Sequence, residues 1–128
     1  MSDKRYDGFV PGSHVIDGYG GGGFRFADMS HRGSILVLPS GVSAWAPVSA
    51  QEITPASLQA LFDEPRGAVE LLLIGTGRDL APPSPELRAA LREAGVRVDS
   101  MATGAAISTY NILLGERRRV AAALLATP

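Results

Sequence analysis

Two short runs in this chain consist entirely of large aliphatic residues, Ile35-Leu36-Val37-Leu38 and Leu71-Leu72-Leu73-Ile74. A run without a polar position leaves neither side of a strand suited to water, so each run predicts a strand that is buried on both faces. Turn sequences close both runs, Pro39-Ser40-Gly41 after the first and Gly75-Thr76-Gly77 after the second. We therefore expect a sheet whose central strands are covered from both sides.

Composition excludes several classes of function. The 128 residues suit one domain, and they include no cysteine, which excludes a disulfide framework, a thiolate nucleophile and an iron–sulfur cluster. Twelve basic and thirteen acidic residues give a net charge of -1, which argues against a nucleic-acid binder. The polar N-terminus lacks a signal sequence and no apolar run approaches ~20 residues, so we expect a cytoplasmic protein without an integral membrane segment.

Strand and turn signals dominate the first half of the chain. Residues 1–12 are polar and predict a flexible tail, which leaves residues 13–128 as a single domain. Residues 14–19 and 24–26 predict short strands, and residues 30–33 predict a turn. Residues 42–46 then predict a strand that returns beside the first aliphatic run. Together these signals indicate an N-terminal antiparallel meander.

The second half alternates strand and helix signals. Thr54-Pro55 and Ser84-Pro85 each place a capping hydroxyl before a proline, which is typical of a helix start. Residues 96–101 alternate as a strand, and residues 103–114 predict a further helix. The apolar segment 120–126 suits either a helix or a closing strand. The pattern is that of an α/β fold with a βαβ unit in this half.

The glycine-rich segment Gly18–Gly23 formally matches the dinucleotide motif G-x-G-x-x-G. That motif requires a helix next, whose N-terminus meets the pyrophosphate, whereas Phe24-Arg25-Phe26 is typical of a strand. No carboxylate follows in residues 36–47 to bind a ribose. We interpret the segment as a glycine-rich hairpin or bulge, where missing side chains let backbones approach closely, rather than as a dinucleotide site.

The turn Gly75-Thr76-Gly77 is the first candidate site. It follows a buried strand, and ligands bind at the carboxyl edge of strands in open α/β sheets. Small residues there leave room for a ligand, with Thr103 contributing from the neighbouring helix start. The alternative interpretation is a tight strand exit without a function of its own.

The run Arg117-Arg118-Arg119 is the second candidate. Three arginines suit a phosphate group or an acidic partner, but such a run is more often a solvated surface beside a helix C-terminus.

Trp45 is equally suited to a core position and to an interface. Neither His14 nor His31 has the spacing of a metal ligand, and we expect no metal site.

Several segments in this order resemble the Mth-domain family, whose members include mitochondrial complex I assembly factor 3 and the adipogenesis-associated Mth-domain protein. The resemblance covers residues 13–126. The segments that carry it are 16–20 with 23–26, 33–41 with Trp45, 73–77, 101–106 with Thr109-Tyr110-Asn111, and 116–124. It implies a three-layer domain with a central mixed sheet, in which residues 120–126 form a strand and complete a C-terminal βαβαβ part.

The same resemblance implies no established enzymatic activity and no cofactor. Its mitochondrial member implies a role in building NADH:ubiquinone oxidoreductase through protein–protein contact. We therefore expect a non-enzymatic accessory or assembly protein with an unidentified protein partner, and a homo-oligomer is compatible with the sequence. Tyr110 and Asn111 match a family motif and are the favoured residues for a role beyond packing. The alternative is a small-molecule binder, or an unassigned enzyme, with its pocket at Gly75–Gly77.

Overall fold

The computed structural model describes residues 8–128. The strands are β1 (Phe9–Pro11), β2 (Gly18–Gly20), β3 (Gly23–Phe26), β4 (Met29–Arg32), β5 (Ile35–Leu38), β6 (Gly41–Ala44), β7 (Leu71–Gly75), β8 (Arg97–Met101) and β9 (Val120–Leu124). The α-helices are α1 (Gln59–Phe62), α2 (Pro85–Glu93) and α3 (Thr103–Gly115), and short 3₁₀ turns span Ala50–Glu52 and Ala56–Leu58.

Six strands form a mixed sheet in the order β1-β6-β5-β9-β7-β8, and β2-β3-β4 form a separate antiparallel sheet. β9 lies in the middle of the large sheet, antiparallel to β5 and parallel to β7. The predicted βαβ unit is confirmed as β7-α2-β8, with the two strands parallel. The ambiguous segment 120–126 is a strand over Val120–Leu124, as the family resemblance implied.

Both aliphatic runs are covered on both faces, as predicted. On β7, Leu72 and Ile74 face a core formed with α1 and α2, whereas Leu71 and Leu73 face a second core. The second core is completed by α3 and by Phe24 and Phe26 of the small sheet. The molecule thus has three layers around a central mixed sheet, because its middle strands carry no polar side chain on either face.

The helix caps follow the sequence. The Ser84 hydroxyl accepts a hydrogen bond from the Leu87 N–H at 3.1 Å, directly before the Pro85 start of α2. The Thr54 hydroxyl likewise accepts from the Ser57 N–H at 3.2 Å. The segment that follows is shorter than predicted, since a 3₁₀ turn precedes the four residues of α1.

The N-terminal half differs from the predicted meander in three respects. Residues 30–33 do not form a turn, because Met29–Arg32 is strand β4 and the turn lies at Ala27 and Asp28, both with positive φ. Of the predicted strand 14–19, only Gly18 and Tyr19 lie in a strand, which is β2. The meander itself is confined to β2-β3-β4, whereas the β5-β6 hairpin belongs to the large sheet. The glycine hairpin is confirmed, because Gly20 pairs with Gly23.

The flexible tail predicted for residues 1–12 overlaps a strand of the large sheet. Phe9–Pro11 is strand β1, which pairs antiparallel with β6 at the edge of the large sheet. A proline is tolerated there because an edge strand needs bonds on one side only. The rest of the predicted tail, residues 1–7, lies outside the described residues.

Candidate functional site

Gly75 ends β7 where the first residue of α3 crosses it. A Cβ on Gly75 would lie 2.9 Å from Thr103 Cα and 3.0 Å from both Thr103 Oγ1 and Leu124 Cδ2. Thr103 is fully buried. The glycine therefore permits a close approach between the strand end and α3, and on this side of the sheet the protein itself fills the space at the strand exit.

The polar groups at this strand exit bond within the chain. The Thr103 hydroxyl donates to the Leu125 carbonyl at 2.8 Å and accepts from the Gly77 N–H at 2.9 Å. The Thr76 hydroxyl donates to the Asp79 carbonyl at 2.6 Å. These bonds join β7, β9 and α3 into one rigid edge. They give Thr76, Gly77 and Thr103 a structural role at this edge.

A cleft of about 410 Å³ lies on the opposite side of the strand exit. After β7 the chain continues to α2 on one face of the sheet, and after β8 it continues to α3 on the other face. The cleft opens between these two exits. Such a divergence is where open α/β sheets form a ligand crevice. Its lining includes Ile53, Thr54, Ile74, Thr76, Ala81, Pro82, Pro83, Ser84, Glu86 and Ser100.

Ser100 is the residue of this cleft that sequence reasoning missed. Its Oγ atom is buried and has no hydrogen-bond partner, although a buried hydroxyl normally has one. The alternation in Arg97–Met101 indicated only a half-buried strand, and nothing in it distinguishes Ser100. Of the predicted site residues, Thr76 alone lines this cleft.

A second and more open cleft of about 840 Å³ lies at the start of α3. Gly77 lines it together with Tyr19, Gly104 and Ser108. Thr76 and Gly77 therefore line different clefts. The close contact between Gly75 and Thr103 lies between them and divides the predicted pocket at Gly75–Gly77.

Tyr110 and Asn111 fasten the segment before β2 to α3. The buried Tyr110 hydroxyl donates to the His14 carbonyl at 2.9 Å, and burial raises the pKa of Tyr110 to about 12. The Asn111 amide accepts from the Ile16 N–H and donates to the Ile16 carbonyl, both at 2.9 Å. Both side chains thus hold residues 14–16 against the helix.

The arginine run divides between structure and surface. Arg118 pairs with Glu70 at 3.1 Å, and the Arg119 N–H donates to the same carboxylate at 3.2 Å. The hydrogen bond from Arg118, and next that from the Arg119 backbone, lower the pKa of Glu70. The Arg119 side chain also donates to the Gly67 carbonyl at 2.5 Å. Two of the three arginines therefore fix the starts of β7 and β9, and Arg117 is exposed.

Trp45 is a core residue, 7% exposed, whose ring N–H donates to the Ser57 carbonyl at 2.7 Å.

The solvent side of α3 is a further surface to which the sequence assigned no role. None of the 13 residues of α3 is charged, whereas a helix with one face in water normally carries charges there. The exposed positions on this side, which we name the outer α3 surface, are Ala105, Ser108, Ile112 and Gly115.

The described residues contain neither a metal-binding cluster nor a membrane-spanning helix. Within residues 8–128 no group of three or more His, Asp or Glu side chains is arranged to hold a metal ion. No helix in this part of the chain is both long and apolar enough to cross a membrane. The features described above that could bind a partner or a ligand are the clefts beside Thr76 and Gly77 and the uncharged face of α3.

A family described as a protein of unknown function (DUF498/DUF598) matches residues 16–125. The chain belongs to this family. An uncharacterized protein of Rhodobacter capsulatus is 41% identical to this DUF498/DUF598 chain over 124 residues, covering 97% of the chain and 93% of that protein. Mouse NADH dehydrogenase [ubiquinone] 1 alpha subcomplex assembly factor 3 is 33% identical over 119 residues, covering 92% of the chain. The match spans 63% of the mouse protein's own length.

Solved structures confirm the fold of this DUF498/DUF598 chain. A Bartonella henselae protein described as an outer membrane protein is 47% identical with a TM-score of 0.88, covering 92% of the chain and 98% of that structure. A Bordetella pertussis protein described as a Mth938-like domain is 34% identical with a TM-score of 0.75, covering 88% and 85%. The Mth-domain resemblance and its three-layer fold are thereby confirmed.

Proposed function

We propose that this protein is a non-enzymatic assembly factor that acts by contact with another protein. The observation that carries the proposal is the outer α3 surface. No residue of α3 is charged, and the side chain of Ile112 on this surface is 61% exposed to solvent. A helix face with an exposed isoleucine and no charge to desolvate suits burial against another protein.

Two further observations support this role. The hydroxyls of Thr76 and Thr103 at the carboxyl edge bond within the chain and thereby serve to hold the fold together. Relatives such as the mouse protein are named as assembly factor 3 of NADH dehydrogenase. We extend that role to this chain as a cytoplasmic, single-domain factor for the bacterial form of the same respiratory complex, with no nucleic acid as partner.

A deletion strain tests the proposal. We expect loss of the gene to lower the amount of assembled NADH:ubiquinone oxidoreductase, measured on native gels by in-gel NADH oxidation. Wild-type protein restores the complex, whereas Ile112→Glu does not, because a carboxylate on the outer α3 surface opposes burial against a partner.

Leu80→Glu is the matched control, since Leu80 is an exposed aliphatic residue, 66% accessible, outside α3. We expect this variant to restore the complex like the wild type. Unchanged complex levels in the deletion strain would end the assembly proposal, and equal rescue by Ile112→Glu would remove the outer α3 surface from it.

A second candidate function is favoured by the cleft at Ser100. A volume of about 410 Å³, at the divergence of two strand exits and beside an unpartnered hydroxyl, suits a small molecule. A ligand stabilises the native state, so a metabolite screen by thermal shift detects one. We expect Ser100→Leu, which fills the cleft, to abolish such a shift. A flat screen with the wild-type protein would eliminate this candidate.

A further inference from the structure

β8 is an edge strand of the large sheet. Its hydrogen-bonded neighbour is β7, and no other strand within residues 8–128 pairs with it. The Arg97 N–H donates to the Glu70 carbonyl at 3.0 Å, and the Met101 carbonyl accepts from the Thr76 N–H at 2.9 Å. The backbone groups of Arg97 and Met101 therefore face β7.

Backbone groups alternate in direction along a strand, so those of Val98 and Ser100 point toward the open edge. No backbone hydrogen bond of either residue occurs in the part of the chain that the structure describes. A row of unpaired N–H and C=O groups is a template for a further strand.

The side chains of β8 determine which strand can pair with its open edge. Val98 packs against the core on the α2 side of the sheet, so Arg97 and Asp99 share the opposite side. Both are exposed. Neither forms an ion pair with any residue between 8 and 128, where the one salt bridge joins Arg118 and Glu70. Two unpaired charges of opposite sign thus stand two positions apart on an open edge.

We propose that β8 pairs antiparallel with β8 of a second copy of this chain, across a two-fold axis at Val98. In this register Val98 lies opposite Val98 of the second copy, and their backbone groups exchange two hydrogen bonds. Arg97 lies opposite Asp99 of the second copy, and symmetry repeats the pair. The large sheet becomes continuous through the dimer, and both edge charges gain a partner.

Other symmetric registers fit less well. An axis at Asp99 places the two Asp99 carboxylates directly opposite each other, where like charges destabilise a strand pair. An axis at Ser100 places Asp99 opposite Met101 and leaves Arg97 without a charged neighbour. The interface is therefore specified by the order of the charges in Arg97-Val98-Asp99. It is separate from the outer α3 surface and goes beyond the assembly role.

Exchanging the charges of Arg97 and Asp99 tests the register proposed for the two β8 strands. Sedimentation equilibrium of the full chain is expected to show a monomer–dimer equilibrium. Arg97→Asp and Asp99→Arg each place like charges opposite each other twice, so each weakens dimerisation by on the order of tenfold. The double variant Arg97→Asp/Asp99→Arg restores opposite charges in both pairs and is expected to recover most of the wild-type dimerisation constant.

Two further variants isolate the edge from general charge effects. Val98→Pro removes the edge N–H and is expected to give a folded monomer, with folding checked by circular dichroism. Arg88→Asp reverses an exposed charge on α2 and is expected to leave dimerisation unchanged. Hydrogen exchange is expected to slow at the Val98 and Ser100 amides as the protein concentration rises. A wild-type monomer at millimolar concentration, or a double variant no better than the single ones, would overturn the proposal.

Discussion

The Asn111 side chain bonds both backbone polar groups of Ile16, with N–O distances of 2.9 Å for each bond. The two residues are 95 positions apart. The amide therefore takes the place of a neighbouring strand for a segment that has none, because it offers one donor and one acceptor side by side. α3 is thereby joined to the entry of the small sheet by a polar contact as well as by the core.

The first prediction concerns this pairing. Asn111→Ala leaves the N–H and C=O of the buried Ile16 without partners, and we expect a loss of about 1–3 kcal/mol in the free energy of unfolding. Urea denaturation followed by circular dichroism measures the change. Ile112→Ala, one position along on the exposed side of α3, is the control and is expected to stay within about 0.5 kcal/mol of the wild type. Equal stability of both variants would contradict the structural role of Asn111.

The second prediction concerns alkaline pH. Burial raises the pKa of Tyr110 from 10.0 to about 12, so the native state holds this proton more tightly than the unfolded chain does. The resulting stabilisation is complete below pH 10 and is lost as the pH rises through about 12. We expect Tyr110→Phe to be less stable than the wild type at pH 8, because the bond to the His14 carbonyl is lost. Its stability should fall less steeply between pH 10 and 12, as measured by urea unfolding at a series of pH values.

The third prediction concerns the close approach at the end of β7. Gly75→Ala forces a methyl group against Thr103 and Leu124, and overpacking of this kind costs about 1–3 kcal/mol. Gly115→Ala is the matched control, because a Cβ there meets nothing within 4 Å and alanine favours a helix. Thermal unfolding is expected to show a lower melting temperature for the first variant and an unchanged or higher one for the second. The opposite order would refute the packing argument.

The fourth prediction concerns acid. The carboxylate of Glu70 has a lowered pKa because Arg118 and the Arg119 backbone donate to it. Its stabilisation is therefore present above the ordinary carboxyl pKa and is lost as the pH falls through the lowered value. Glu70→Gln is expected to be less stable than the wild type at pH 7, with the difference shrinking toward pH 3. A difference that is constant across this range would show that the charge is not responsible.

Local patterns were sufficient for the central strands and for the helix caps. The aliphatic runs at 35–38 and 71–74 have no polar side to expose, and the pairs Thr54-Pro55 and Ser84-Pro85 act within four residues. The turn predicted at 30–33 is wrong because polar residues there line a half-exposed strand. β1 is not predicted because its pairing with β6 joins residues thirty or more positions apart, and no local pattern indicates such a pairing.

The candidate site was harder to predict for the same reason. Gly75 and Thr103 are both candidates from the sequence, but only the structure shows that their close contact separates the cleft beside Thr76 from the cleft beside Gly77. Ser100 has no distinguishing neighbour in the sequence, and only the surrounding packing leaves its hydroxyl unpartnered. Tyr110 and Asn111 came from the family motif, whereas their partners His14 and Ile16 required the three-dimensional structure.

The central position of β9 sets the order of events during synthesis. Until residues 120–124 have left the ribosome, β5 and β7 each keep an open edge. Neither hydrophobic core is complete, because β9 contributes side chains to both. The earlier segments can form hairpins and helices, but the large sheet cannot close around them. The domain therefore cannot complete its folding before these residues emerge, and a nascent chain stalled before residue 120 exposes two aliphatic strand edges to chaperones or to aggregation.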